Sequence, residues 1–167
     1  MATPVGHTIA GYVVARATGI KSRRGLALAL GAANLPDIDF LLGYVTNGDA
    51  RSLHREVITH RRSFPLLVGM ATAAATAAAS LIRGRRPTPR EVLRPAAIAT
   101  ALVGSHIAMD PLPLPYDSRP AYSSSWLEAL ATQGWNAVID VAVYGILAKL
   151  ALERMAANGK APATQPS

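Results

Sequence analysis

Apolar residues gather into five runs long enough for helices, and polar or proline-rich stretches separate them. The first spans about Pro4 to Gly19 and the second about Gly25 to Tyr44, interrupted near Pro36. The third, Phe64 to Ile82, carries no charged residue, and its length suits the ~20 residues of a membrane span. The fourth covers about Val92 to Met109 and the fifth about Trp135 to Leu152, with one internal acid, Asp140. Arg86-Pro87-Thr88-Pro89 and Pro111-Leu112-Pro113-Leu114-Pro115 break the chain between runs. The pattern predicts an all-α, multi-pass membrane bundle of about four to five helices. Residues 1–153 form that domain in this reading, and 154–167 form a polar tail expected to be disordered. The first run is the weakest span, because it carries His7 and Arg16, and it is expected to lie partly in the interface.

Composition adds constraints. Of 167 residues, 50% are hydrophobic but only 5% aromatic, and the apolar content is mostly Ala, Leu, Val and Ile. Together with 13 Gly, this favours helices packed closely through small residues. A mean hydropathy of +0.23 is low for a multi-pass protein, so the Ala-rich third run also fits a buried soluble helix. There is no cysteine, which excludes disulfides and thiolate metal sites and leaves His and carboxylate as metal donors. A net charge of +7 in a soluble protein points to nucleic acid. Here, however, Lys21-Ser22-Arg23-Arg24 and Arg83-Gly84-Arg85-Arg86 lie between apolar runs, where cytoplasmic loops of membrane proteins carry their charge. The expected partner is therefore the lipid bilayer, and the chain has no helix-turn-helix or zinc-finger signature. Oligomeric state is not legible. The first basic cluster follows the first apolar run, so no cleavable signal peptide is expected.

The positive-inside rule then orders the runs. With Lys21 to Arg24 in the cytoplasm, His7, Asp37, Asp39, His54, His60, His106, Asp110 and Asp140 all fall in the outer half. The charge argument used none of these residues, so their convergence supports one shared site. Arg51, Arg55, Arg61 and Arg62 then lie outside, against the rule, and need acidic or phosphate partners.

The chain's four histidines sit in motifs with acids or arginines, and imidazole and carboxylate are common donors for zinc, manganese and iron. His106 and Asp110 are four apart and share a helix face, which suits the same metal or neighbouring metals; the alternative is a helix end with Asp110 solvated before Pro111. Asp37 and Asp39 are two apart and would diverge on a regular helix, but Pro36 disturbs the helix there and could turn both inward. An unpaired carboxylate at that depth is expensive, and a metal offsets the expense; the alternative is a Pro-Asp turn at a helix end. His54 and His60 are six apart, wrong for one face, and need a loop. Between them Arg55 could hold a phosphate as a planar fork, and Thr59 could cap a helix into the third run. A basic loop binding lipid headgroups explains the same residues. His7 completes the set, and Asp140 is either a partner orienting a ligating His or a helix-packing acid.

This series, a first-helix histidine, Leu-Pro-Asp-x-Asp, His-Arg…Thr-His and Ser-His-x-x-x-Asp, resembles the YdjM-like inner-membrane metal-dependent hydrolases over about Gly6 to Pro111. The same ligand order is more distantly similar to zinc-dependent phospholipase C and related all-helical nucleases. The resemblance implies a helical membrane protein with a hydrolytic metal centre and the ligand candidates His7, Asp37, Asp39, His54, His60, His106 and Asp110. The stretch from His54 to His60 is one residue longer than the family's, and Arg61 follows it where the family has Ser.

The reading that results is a membrane hydrolase with one or two divalent metals, zinc first and manganese or iron as alternatives. A metal lowers the pKa of its water to about 7 and so creates a nucleophile. Asp39 or Asp37 would accept a proton from it, and Arg55 would steady an anionic transition state. A phosphoester such as a phospholipid headgroup is the expected substrate. The rivals are a non-catalytic membrane transporter or scaffold with a buried His/Asp relay, and a soluble all-helical zinc phospholipase- or nuclease-like enzyme.

Overall fold

The uncharged third run folds as one uninterrupted helix, while the Pro36 break splits the second run in two. The computed structural model describes residues 3–47, 59, 61–109 and 126–158. Its helices are α1 (Pro4–Ala17), α2 (Arg23–Ala33), α3 (Ile38–Asn47), α4 (Phe64–Ile82), α5 (Pro89–Met109) and α6 (Trp126–Asn158). A 3-10 turn, Leu35–Asp37, joins α2 to α3.

Local chemistry sets the ends. Thr3 caps α1 by accepting from the Val5 amide, and Pro4 occupies the first turn, where its missing N–H leaves no gap. α1 stops at Ala17, short of Gly19, because Gly19 takes φ +83 and the Ile20 amide closes back on the Ala15 carbonyl. Ser22 caps α2 by accepting from the Gly25 amide at 3.1 Å. α5 begins at Pro89, earlier than the apolar run, because Thr88 and Glu91 form a reciprocal capping box. Thr59 does not cap α4, contrary to the sequence expectation; the N-cap is Ser63, without a side-chain bond, and Thr59 serves Asp39 instead. α6 starts at Trp126, before the expected Trp135, because Trp126–Gln133 is rich in helix formers and one Gly134 adds only about 1 kcal/mol of cost. Its last residues, 154–158, were assigned to the polar tail in the sequence reading and are helical.

The fold is an all-α multi-pass membrane bundle. α4, α5 and residues Gly134–Asn158 of α6 are long and apolar enough to cross a bilayer. Large apolar side chains on them face outward, among them Leu66, Met70, Val141, Ile146 and Leu150, as lipid contact requires. α1, which the sequence reading placed partly in the interface, and α2 are both shorter than a span. At 14 and 11 residues they rise about 21 and 16 Å, short of the ~30 Å hydrocarbon layer. They form an antiparallel pair inside the bundle, where Ala15, Ala29 and Leu102 make one core cluster with Val14, Ile20, Leu26, Ala32 and Ile98. This apolar surround of the bundle replaces the soluble rival.

The contacts give the bundle two unlike ends. The Arg94 guanidinium donates to the Thr18 carbonyl at 3.3 Å, so the end of α1, the Lys21–Arg24 stretch and the start of α5 share one basic end. His7 and His106 meet at the other end. α6 runs parallel to α1, since Asp140 meets Thr3 and Gly6 while Tyr144 packs with Ile9 and Ala10. Its Arg154 therefore points toward the basic end, and its earlier turns toward the histidines.

Candidate metal centre

Three elements remote in sequence carry one donor each to the same place. α1 brings His7, the 3-10 turn brings Asp37, and α5 brings His106, with one ligand atom from each lying within 4.8 Å of the others. Both histidines are fully buried, and Asp37 is 15% exposed. The imidazoles stack with centroids 3.4 Å apart and planes 15° from parallel.

The backbone decides which nitrogen of His106 faces the cluster. Nδ1 lies 2.9 Å from the Ala33 carbonyl, which can only accept, so Nδ1 carries a hydrogen. Nε2 is left to face the Asp37 carboxylate, 3.4 Å away. In the neutral ring Nε2 is a lone pair, a donor suited to a cation held beside the Asp37 carboxylate. An imidazole held by a backbone carbonyl through one nitrogen, with the other turned toward a carboxylate, is the arrangement metal-binding histidines use. Two nitrogens and one carboxylate oxygen also match the donor sets of catalytic divalent metals, which leave a position open for water or substrate. By donor chemistry and by tautomer, the residues fit a divalent metal.

The broken second run explains why Asp37 arrives here. The Asp37 amide donates to the Asn34 carbonyl at 3.1 Å, closing the 3-10 turn, and buried Pro36 adds no donor that would need a partner. Asn34 itself is tied to α1, its Nδ2 donating to Thr8 Oγ1 at 3.0 Å and to the Leu30 carbonyl at 2.9 Å. The break turns both acids into the protein, but to different partners. Asp39 is fully buried and accepts from the Thr59 hydroxyl at 3.1 Å, outside the three-residue group. Asp140, also fully buried, accepts through Oδ2 from the Thr3 amide at 2.7 Å, the Gly6 amide at 3.1 Å and the Thr3 hydroxyl. Of the other expected site residues, His54, Arg55, His60 and Asp110 lie outside the described residues.

Sequence reasoning passed over Ala33, Asn34, Thr3 and Gly6. Thr3-Pro4 is an N-cap signal and was legible. The Ala33 carbonyl, being backbone, leaves no side-chain trace in the sequence.

Comparison with curated proteins and with solved structures found no match. Among known families, the one described as YdjM inner membrane protein matches residues 1–150, which takes in the three spans up to the last turns of α6 and all three clustered donors. A match over that much of the chain, on a multi-pass helical bundle with a buried His/His/Asp group, makes this protein a member of the YdjM family.

Proposed function

We propose that the protein is a membrane-embedded, metal-dependent hydrolase of phosphoesters, with zinc as the metal and a phospholipid headgroup as the substrate type. The observation that carries the reading is the meeting of His7, Asp37 and His106 within 4.8 Å, with His106 oriented by the Ala33 carbonyl. A bound divalent ion supplies Lewis acidity and a water acidified to a pKa of about 7. The chain does the rest. His7, Asp37 and His106 hold the ion, and His54, His60 and Asp110 are further donors by their motifs. Asp39, buried and steadied by Thr59, accepts the proton. Arg55 clamps the phosphoryl oxygens, since a guanidinium presents paired donors in the geometry that phosphate matches.

Three apolar spans in the same bundle as the clustered donors support a lipid-borne phosphoester over a soluble one. Zinc-loaded protein in phospholipid vesicles is expected to release phosphorylated headgroup or inorganic phosphate, and a chelator to stop it. Arg55→Ala is expected to reduce turnover about 100-fold, as removal of one transition-state donor does. Stoichiometric metal without turnover of any phosphoester tested, in vesicles or in detergent, would point instead to the relay reading.

The basic end defines the orientation in this proposal. Lys and Arg concentrate on the cytoplasmic side of membrane proteins, so the histidine end faces outward. The chain has no cysteine, which makes single-cysteine labelling clean. An impermeant maleimide applied to whole cells is expected to label Ser63→Cys, at the histidine end, and to spare Ala157→Cys, at the basic end. The opposite pattern would invert the topology.

A further inference from the structure

α6 contributes no donor to the three-residue group, yet its Asp140 is fully buried beside α1. Asp140 Oδ2 collects the Thr3 amide at 2.7 Å, the Gly6 amide at 3.1 Å and the Thr3 hydroxyl. These are donors at the start of α1, which no residue earlier in that helix can satisfy. The His7 amide in turn donates to the Thr3 carbonyl at 3.1 Å, so His7 hangs from the residue that Asp140 holds.

The close approach depends on Gly6. A Cβ there would lie 2.7 Å from Asp140 Oδ2, 2.8 Å from its Cγ and 3.1 Å from Tyr144 Cδ2. Asp140 cannot swing aside without giving up its hydrogen bonds, and Tyr144 is packed against Met109, Ile9 and Ala10. Carboxylate, glycine and capping threonine thus form one joint between α6 and the first turn of α1.

From this joint we infer that Asp140 is a positioning residue: it fixes the first turn of α1 against α6 and thereby sets the height and rotation of the His7 ring at the metal centre. The inference rests on the metal reading of the His7, Asp37 and His106 group. A carboxylate is suited to the task because it is negative at the positive end of a helix dipole and can accept several bonds on one oxygen. A purely apolar contact would leave the same amides unsatisfied in a low-dielectric interior. Asp140 acts on the backbone that carries His7, and that distinguishes it from an acid that merely packs two helices.

The test measures zinc affinity of the purified full chain in lipid nanodiscs by competition with a chromophoric chelator. Asp140→Ala is expected to weaken zinc by about 10- to 100-fold, the usual loss when a ligand's support is removed. Asp140→Asn keeps an acceptor oxygen and is expected to recover most of that affinity. In His7→Ala, adding Asp140→Ala is expected to cost nothing more, because the residue being positioned is gone. Wild-type affinity in Asp140→Ala, or full additivity with His7→Ala, overturns the inference. The ring-current shift between the stacked His7 and His106 imidazoles gives a readout that needs no metal. It is expected to collapse in Asp140→Ala and to persist in Asp140→Asn. If the wild type binds no zinc, the metal reading fails while the ring-current comparison still decides the positioning role. Should Asp140→Ala not fold, Thr3→Val, which deletes one donor to the same oxygen, is expected to lower zinc affinity several-fold; an unchanged affinity there counts against the inference.

Discussion

Asp37→Asn and His106→Ala should each purify with the membrane fraction, helical and folded, but without stoichiometric metal. Asp37→Asn is the sharper of the two. It keeps the shape of a side chain on a three-residue turn whose backbone bond to Asn34 does not involve the carboxylate. The turn is therefore expected to persist, and the charge facing His106 Nε2 at 3.4 Å is lost. An amide oxygen is a weak ligand, and the amide nitrogen is none. His106→Ala removes a ring that is fully buried, stacked on His7 and bonded to the Ala33 carbonyl, so it also opens a cavity. α5 would still insert, because its apolar length is untouched.

Metal content by elemental analysis is the direct check, and thermal unfolding is the second. A ligand that binds only the folded state stabilises it by RT ln(1 + [L]/Kd), or about 2.7 kcal/mol at roughly 100 times Kd. Zinc should therefore raise the midpoint of the wild type and leave those of both variants where they were. Full metal content in both variants would remove His7, Asp37 and His106 as the centre, whatever the protein catalyses.

The parts of this molecule that the sequence disclosed are those with local causes. α4 was bounded correctly because an uncharged 19-residue apolar run between Arg-rich ends has one reasonable solution. The break at Pro36 was legible because proline there removes a donor and restricts its neighbour. The early start of α5 was written in Thr88-Pro89-Arg90-Glu91 as a capping box, but the hydrophobic pattern alone placed it at Val92. The start of α6 was obscured because a glycine in a polar-to-apolar transition looks like a boundary, while the helix formers of Trp126–Gln133 outweigh a penalty of about 1 kcal/mol.

The site divides the same way. His7, Asp37 and His106 stood out as polar residues in apolar surroundings, which is expensive unless they meet. Which of the seven candidate donors would meet was not legible, because that depends on α1 lying between α2, α5 and α6. Asp39 illustrates the point: two residues from Asp37, it is turned to Thr59 by a break whose geometry no local rule specifies. The role of Asp140 was open for a related reason. Whether it orients a histidine or only packs a helix depends on α6 running parallel to α1, a relation between segments more than 130 residues apart.

Replacing Gly11 by alanine should destabilise the protein and loosen the metal centre, although Gly11 is not itself a candidate ligand. Gly11 lies where α1 crosses α2, and a Cβ there would overlap the Cβ of Ala33. Two opposing effects are in play. Alanine in a helix interior is favoured over glycine by about 0.8–1.0 kcal/mol. Overpacking costs about 1–3 kcal/mol, and here neither Cβ can rotate away, because both are fixed to helix backbone. The overlap wins, with a net loss of up to about 2 kcal/mol. The helices can relieve it only by separating, and Ala33 is the residue whose carbonyl holds His106 Nδ1. Zinc affinity should therefore fall about 10-fold, as it does when a ligand's hydrogen-bond partner is disturbed. The reciprocal change supplies the control. Gly11→Ala combined with Ala33→Gly moves one methyl across the interface, keeps the backbone carbonyl and balances the helix propensities. It should return both the unfolding midpoint and the zinc affinity to near wild type. A double variant as weak as Gly11→Ala alone would mean that the α1–α2 crossing does not govern where the Ala33 carbonyl sits.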